Sequence, residues 1–555
     1  PKHFAAHSGP EGVRENFDAK VSLRDLYDTY LPAFAACVRE GGAASVMGAY
    51  NMINGGPCCG SRMLLEDILR EEWGFEGYTV SDCGAVCNFH LYQGLTETAA
   101  ESAALAIKNG LDLNCGETYN HLVTAMANGL VSEELIDRAV NRLFAARFRL
   151  GLFDPPEKVP YTRIPYGAVD CDEHRALARK AAQRSMVLLK NNGILPLKKN
   201  IPSIAVIGPN AFNTEALLGN YHGWPSSYTT PLDGIREKVS EGTRIYYAKG
   251  CDIAGESKEY GNDARSGLSE AVIAARHADV ALLCLGLSPR IEGEAGDAYN
   301  SDAGGDRAQI ELFTLQQELM EKVCATGTPV VLVLISGSAL AVNWAERHVD
   351  GVIQAWYPGQ EGGRALADIL FGEYNPSGRL PVTFYRSTEE LPPFEDYAMA
   401  GRTYRYMTNA PLYPFGYGLS YTRFTYDGPT LSAKKIRAGE SVAVTVTVEN
   451  AGHMAGEETV QLYLKDMEAS CPVPRHKLIG IRKLFLQPKE RQHVRFTVTP
   501  RQMAVIDESG ACVLEPGEFM VYAGGCQPDA RSIALGGGTV SALFRVDGNA
   551  IRIGY

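Results

Sequence analysis

Regularly spaced apolar segments in the first 150 residues constrain the fold of this chain most strongly. Three predicted strands begin about 30 residues apart, which is the repeat length of a (β/α)8 barrel; they cover residues 44–50, 78–82 and 111–115. Amphipathic helices are predicted over residues 23–39, 62–73 and 132–150. Because parallel strands are joined by helical crossovers, this alternation predicts β/α units on a parallel sheet. With an earlier strand ending at Lys2-His3-Phe4, residues 1–154 are predicted to form the C-terminal half of a barrel.

Two further domains are predicted after a Pro-rich linker at residues 155–169. A helix is expected to start at Asp170, with Glu173 completing a capping box. Residues 170–400 alternate buried strands with helices and predict an α/β sandwich domain; the strands are predicted over 204–208, 280–286, 330–335 and 352–357. Residues 401–555 show alternating strands without a convincing helix, which indicates a fibronectin type III-like β-sandwich.

The composition limits the partners of the chain. Acidic residues outnumber basic ones, 65 to 53, and the formal net charge of -12 disfavours nucleic acid and anionic lipid as partners. No apolar run reaches the roughly 18 residues that a membrane span needs, so no membrane partner is expected. The 13 cysteines match neither a dense disulfide framework nor a zinc site. They predict mostly buried thiols and a cytoplasmic protein, with secretion as the alternative because a signal peptide could precede Pro1.

Polar side chains at predicted strand ends are the candidates for chemistry. Asp82 follows one strand at the end where barrel enzymes place their catalytic groups. Alone, it is equally well explained as a nucleophile or as a cap of the next loop. Lys2, His3 and Tyr50 also lie at predicted strand ends, so a base, an imidazole, an aromatic ring and a carboxylate should converge on one pocket.

Seven segments, in this order along the chain, resemble glycoside hydrolase family 3. Three resemble the family's catalytic barrel: residues 2–4, 47–58 and 81–83. Three resemble its second domain: residues 187–197, 357–363 and 375–381. Residues 415–421 resemble its entry into a fibronectin-like domain. The resemblance covers essentially the whole chain and implies the same three-domain architecture.

The resemblance implies a retaining mechanism with two carboxylates. Asp82 would attack the anomeric carbon and form a covalent glycosyl-enzyme. The acid/base would come from the second domain, where Glu294 matches the family spacing better than Glu292, which is expected to be a sugar-binding neighbour or an exposed charge. The pKa of the acid/base is expected to exceed that of Asp82. No metal, nucleotide or other cofactor is implied.

The resemblance also assigns residues to the sugar pocket. Lys2 and His3 would hydrogen-bond the hydroxyls of the terminal sugar, and Met47 and Tyr50 would line its walls. A pocket closed by a loop from the neighbouring domain would release one sugar at a time from the non-reducing end of an oligosaccharide or an aryl glycoside. His7, in the loop after the Lys-His motif, is expected to be structural or pocket-lining.

Cys83 bears on the choice of sugar, because Cys after the nucleophile resembles the β-xylosidase branch of the family. The predicted activity is therefore that of a β-xylosidase, with β-glucosidase or α-L-arabinofuranosidase activity as the alternative. A different class of function is an inactive homologue that only binds carbohydrate or a partner protein. Retention of both candidate carboxylates favours the enzyme.

Four β/α units leave open strand edges and uncovered apolar faces. We therefore expect about four further units, on the scale of half a typical barrel, to come from an upstream segment or a separate chain. A homodimer is a further expected partner state.

Overall fold

The barrel region contains four neighbouring parallel strand positions. In this computed structural model, which describes residues 1–254, 265, 267–298 and 301–554, Ser45–Met47 pairs in parallel with Tyr78–Val80. Single parallel bridges extend this pair on both sides: Phe4 pairs with Gly48, and Leu113 pairs with Val80. The strand positions are thus adjacent in chain order, as in a barrel, and the predicted C-terminal part of a (β/α)8 barrel is confirmed.

Helices surround these strands and bury their apolar faces. Most of the barrel region's helices are regular or π-type, namely Leu23–Asp25, Leu26–Tyr30, Pro32–Arg39, Met63–Glu72, Asn88–Leu91, Ala99–Lys108, Leu122–Ala127 and Glu133–Arg149. A small sheet is formed by Asp18–Ala19, Met52–Ile53 and Gly56–Pro57. Helix 99–108 begins where the Thr98 side chain accepts a hydrogen bond from the Glu101 amide. By contrast, Ser132, the residue before helix Glu133–Arg149, makes no side-chain capping hydrogen bond.

The second domain is built on a six-stranded sheet. The spatial order of its strands is Val187–Asn191, Gly351–Gln354, Val330–Ile335, Val280–Gly286, Ser203–Ile207 and Arg244–Ala248. Every pairing is parallel except that of the edge strand 187–191. Apolar clusters cover both faces of the sheet, which explains why its central strands are continuous apolar runs. The helices are Asp172–Ser185, Pro231–Lys238, Leu268–Arg276, Thr314–Cys324, Asn343–His348 and Gly362–Leu370.

The start of the second domain differs from the prediction. The first helix begins at Asp172 with Cys171 as its N-cap, and the capping box expected at Asp170 does not form. The Asp170 carboxylate instead accepts hydrogen bonds from the Ser226 amide and the Gln360 side chain, at 2.8 and 2.9 Å. The preceding linker contains short 3-10 helices at Pro156–Lys158, Pro160–Arg163 and Tyr166–Ala168.

The C-terminal domain is a β-sandwich. One sheet contains Phe424–Leu431, Val442–Asn450 and Arg491–Val498; the other contains Lys435–Arg437, Thr539–Asp547, Gly517–Gly524, Gly456–Asp466 and Lys477–Leu486. A small sheet joins Val505–Ile506, Cys512–Leu514 and Ile551–Arg552. Alternate residues of strand 442–450 are buried, as the sequence pattern predicts. The expectation of no helix here was wrong, because short helices occur at Thr403–Tyr406, Pro500–Met503 and Ala530–Ala534. Within the described residues, no helix is long and apolar enough to cross a membrane.

Candidate active site

Asp82 lies two residues beyond the strand Tyr78–Val80 and is largely buried, with 8% of its surface exposed. Its Oδ1 accepts a hydrogen bond from the Cys83 amide at 2.8 Å. Its Oδ2 lies 3.2 Å from Nε2 of His3 but makes no well-aligned hydrogen bond to any described residue. One carboxylate oxygen is therefore held by the backbone while the other remains available for chemistry.

Burial lowers the pKa of His3, and the Asp82 carboxylate partly opposes that shift. The imidazole is consequently neutral near pH 7 and can donate or accept one hydrogen bond. The ring of His7 packs edge-on against it at 5.2 Å, and His7 Nδ1 lies 3.1 Å from Oδ1 of Asn51. His7 thus supports the pocket from behind His3.

Met47 ends the neighbouring strand, Ser45–Met47, and Tyr50 follows three residues later. Burial raises the pKa of the Tyr50 phenol, and the nearby Asp82 carboxylate raises it further. The phenol therefore remains protonated and is able to donate a hydrogen bond toward Asp82. Met47 is half-buried at the strand end, beside the backbone of Phe4.

Cys83 and Cys115 lie side by side next to Asp82. Their Sγ atoms are 2.7 Å apart, and both are free thiols. The hydrogen bond with Cys115 raises the pKa of Cys83 to about 11, with burial as a smaller cause. The Cys83 thiol is therefore neutral, and the side chains of Cys83 and Cys115 together form a wall beside the carboxylate.

The loop that carries Glu294 follows the sheet strand Val280–Gly286. Ile291 is 3% exposed and anchors the loop in the core of the second domain. Gly293 separates the two candidate glutamates, and a Cβ atom there would lie 2.6 Å from Nδ2 of Asn220 and 2.9 Å from the Pro289 carbonyl. A side chain at position 293 would therefore displace the loop.

Glu294 receives a donor on each carboxylate oxygen. Nη1 of Arg14 donates to Oε1 at 2.9 Å, and the hydroxyl of Tyr221 donates to Oε2 through a short hydrogen bond. The Tyr221 hydrogen bond lowers the pKa of Glu294; partial burial opposes this shift, and Arg14 adds to it. Both donors stabilise the Glu294 carboxylate, and the expected order of the two carboxylate pKa values stays a prediction.

The charges of Asp82 and Glu294 both act on the same three neighbouring residues, which indicates that the two carboxylates lie near each other. Both carboxylates influence the pKa values of His3, Cys83 and Tyr221. Lys2 reaches the same place from the barrel region, with Nζ 4.7 Å from the ring centroid of Tyr221. The site thus lies between the barrel and the second domain.

Glu292 lies in a different environment, turned toward the second domain. Its carboxylate accepts hydrogen bonds from the Gly337 amide at 2.7 Å and from the Tyr357 hydroxyl at 2.5 Å. A short hydrogen bond from Ser338 completes the set. These contacts hold the start of the loop against residues 337–338, whereas Glu294 points to the barrel.

Arg14, Tyr221 and Cys115 belong to the site but were not among the predicted site residues. Arg14 follows the 3-10 helix Glu11–Val13 in the loop after the Lys-His motif. Tyr221 adopts a left-handed backbone conformation with φ of 60°. A single sequence carries no signal for a contact between residues 280 positions apart, such as that of Arg14 with Glu294.

Family models match most of the chain. The Glycosyl hydrolase family 3 N terminal domain matches residues 1–146, the Glycosyl hydrolase family 3 C-terminal domain matches residues 186–421, and a Fibronectin type III-like domain matches residues 458–527. A β-xylosidase from Formosa agariphila is 37% identical over 560 residues, covering 96% of this chain and 75% of that protein. A periplasmic β-glucosidase from Salmonella typhimurium is 35% identical over 562 residues, covering 94% and 72%.

Solved structures show the same fold. An exo-β-xylosidase (XlnD) in complex with a xylobiose aziridine probe has a TM-score of 0.89 and 30% identity, over 100% of this chain and 72% of that chain. A β-glucosidase from Listeria innocua in complex with isofagomine has a TM-score of 0.85 and 31% identity, over 99% and 74%.

A barrel carboxylate opposed by a second carboxylate from a neighbouring domain is the apparatus of a glycoside hydrolase, and the matches establish that this chain is one. More particularly, it belongs to glycoside hydrolase family 3.

Proposed function

We propose that this enzyme removes single terminal sugars from the non-reducing ends of β-glycosides with retention of configuration, and that β-D-xylosyl residues are its preferred substrate. The observation that carries the proposal is the available Oδ2 of Asp82 in a pocket faced by Glu294. Two carboxylates on opposite sides of a glycosidic bond suit a double displacement.

In the first step, an Asp82 oxygen forms a bond to the anomeric carbon while the bond to the leaving oxygen breaks and Glu294 donates its proton to that oxygen. In the second step, the Glu294 carboxylate takes a proton from water as the water oxygen bonds to the anomeric carbon and Asp82 departs. His3, Tyr50 and Lys2 lie close enough to the pocket to bind the sugar hydroxyls.

The Cys83–Cys115 wall supports the choice of xylose. The wall lies next to Asp82, and we propose that it fills the space that a glucoside would need for its 6-hydroxymethyl group, which a xyloside lacks. Steric exclusion of such a group contributes about 1–3 kcal/mol of discrimination. Relatives named as β-xylosidases agree with this choice, although others are named as β-glucosidases or as β-xylosidase/α-L-arabinofuranosidase; these remain the alternative activities.

A comparison of kcat/KM on matched p-nitrophenyl β-xyloside, β-glucoside and α-L-arabinofuranoside tests the proposal. We expect the xyloside to be cleaved most efficiently. A clear preference for the glucoside would contradict the assignment of xylose as the preferred sugar. It would still agree with the assignment of the protein as a β-glycosidase. Absence of cleavage of every glycoside by the native protein would instead favour a carbohydrate-binding or partner-binding homologue.

A further inference from the structure

We infer that Arg14 is a positioning residue that binds the acid/base carboxylate of Glu294 and sets its proton affinity from across the domain boundary. This inference rests on the proposed function of Glu294. It concerns how one glutamate is tuned to act as an acid in one step and as a base in the next.

The side chain of Arg14 is placed between the two halves of the site. Its guanidinium carbon lies 4.6 Å from the ring centroid of Tyr50, the residue that faces Asp82. Its Nη1 donates to Glu294 Oε1 at 2.9 Å, and its Nε lies 3.3 Å from Oε1 of Glu15. Only 13% of the side chain is exposed, so the charge is poorly screened by solvent.

The loop that carries Arg14 is itself bound to the acid/base loop. The carboxylate of Glu11 accepts a hydrogen bond from the Ala295 amide at 3.1 Å and also pairs with Arg14. The Glu11 amide donates to Oδ2 of Asp306 at 2.6 Å. These contacts fix Arg14 relative to the segment that follows Glu294, so the ion pair is part of a built interface.

The ion pair between Arg14 and Glu294 affects how easily Glu294 loses its proton during the reaction. When Glu294 passes its proton to the leaving oxygen, the carboxylate that forms is stabilised by the adjacent Arg14 cation. The same cation disfavours protonated Glu294 in the free enzyme because it lowers the pKa of the carboxyl group. Glu294 therefore loses its proton at a lower pH. Arg14 therefore promotes proton transfer from Glu294 to the leaving oxygen. It also narrows the pH range in which Glu294 is protonated in the free enzyme.

Other groups also act on Glu294 and must be taken into account. The titratable or charged residues that act on Glu294 or on its Arg14 partner include Arg14, Tyr221, Lys2, His3, Cys83, Asp82, Glu11 and Glu15. Removal of Arg14 leaves the Tyr221 hydrogen bond and Lys2 in place. The pKa of Glu294 should then rise. The rise should be limited, because Tyr221 and Lys2 still stabilise the carboxylate.

The test is the pH profile of kcat/KM for an aryl β-xyloside in Arg14→Met, Arg14→Lys and a control, Arg62→Met. Arg62 forms an exposed ion pair with Asp67 at 3.2 Å, away from the site. The basic limb reports loss of the acid proton in the free enzyme. In Arg14→Met we expect this limb to move to higher pH by about one unit. Arg14→Lys should restore most of the wild-type profile, and the control should match wild type.

A basic limb of Arg14→Met that stays in place or moves to lower pH would overturn the inference, even if kcat falls. A second measurement needs no substrate and separates this inference from the proposed function. Thermal unfolding of Arg14→Met, Glu294→Gln and the double variant should be non-additive, because either single change already breaks the pair. Additive losses of Tm would overturn the inference whether or not the protein cleaves glycosides.

Discussion

His3 Nε2 and Asp82 Oδ2 lie 3.2 Å apart, which places a half-buried imidazole directly beside the available oxygen of the proposed nucleophile. Because burial lowers the pKa of His3, the imidazole faces the carboxylate as a neutral group near pH 7. It can therefore hydrogen-bond a sugar hydroxyl without neutralising the charge of the Asp82 carboxylate.

We accordingly expect His3→Ala to reduce kcat/KM by about 10²-fold, through loss of substrate positioning, and His3→Gln to lose less because it keeps a donor. Steady-state kinetics on an aryl β-xyloside provide the measurement. His493→Ala, at an exposed histidine of the C-terminal domain, is the control and should be unchanged. Equal losses in His3→Ala and the control would argue against this role.

The thiol wall predicts a change of specificity. Replacement of both Cys83 and Cys115 by Ala should raise the ratio of glucoside to xyloside kcat/KM by roughly 10-fold, because the wall beside Asp82 recedes. Cys37→Ala removes an exposed thiol elsewhere and serves as the control. An unchanged ratio would mean that the thiols do not contact position 6 of the sugar.

Azide rescue separates the two glutamates of the acid/base loop. Glu294→Ala should cleave substrates with good leaving groups to the covalent intermediate and then stall, and azide should restore turnover by giving a β-glycosyl azide. Glu292→Ala should not be rescued in this way, because Glu292 is bound to Gly337, Ser338 and Tyr357 and does not point to the barrel. NMR of the products identifies the azide and its anomeric configuration. The reverse pattern would assign the acid/base role to Glu292.

The buried strands of the sheets were predictable from the sequence. Val280–Gly286 and Val330–Ile335 have the predicted bounds, because strands covered on both faces must be continuously apolar. The edge strand Arg244–Ala248 was missed because only its last residue is buried, so it lacks a continuous buried apolar run. Asp170 gave a false capping signal, since its carboxylate is bound by Ser226 and Gln360, which are distant in sequence.

The site was predictable only where a residue belongs to a local motif. Asp82, His3 and Tyr50 were identifiable because parallel strands bring their carboxyl ends to one edge. Arg14 and Tyr221 reach Glu294 from separate loops, and only the packing of the barrel against the second domain brings them together. The lowered pKa of Glu294 was not foreseeable for the same reason, since its donors could not be known.

The burial of His476 should make the stability of the C-terminal domain depend on pH. Burial lowers its pKa from 6.5 to about 4, and its Nδ1 makes no hydrogen bond within the described residues. Between these two pH values the unfolded chain binds a proton that the folded domain excludes. Above pH 6.5 the histidine is neutral in both states, so it does not reduce the free energy of unfolding. As the pH drops from 6.5 toward 4, the free energy of unfolding falls by at most about 3 kcal/mol.

His476→Gln should remove much of this acid sensitivity, because glutamine does not titrate. Calorimetric unfolding of the wild type and the variant between pH 4 and 7.5 measures the difference. We expect the two curves to differ in slope, with the wild type losing more stability toward acid pH. Parallel curves would show that His476 is protonated in the folded domain.

Covalent trapping tests the central claim, that Asp82 is the nucleophile. A 2-deoxy-2-fluoro aryl β-xyloside slows both steps, and a good leaving group allows the glycosyl-enzyme to accumulate. Asp82→Asn should lower kcat by about 10³-fold or more and should not be labelled. Peptide mass spectrometry of the trapped wild type should find one fluoroxylosyl group on Asp82. Stoichiometric labelling of another carboxylate, or equal turnover by Asp82→Asn, would contradict the assignment.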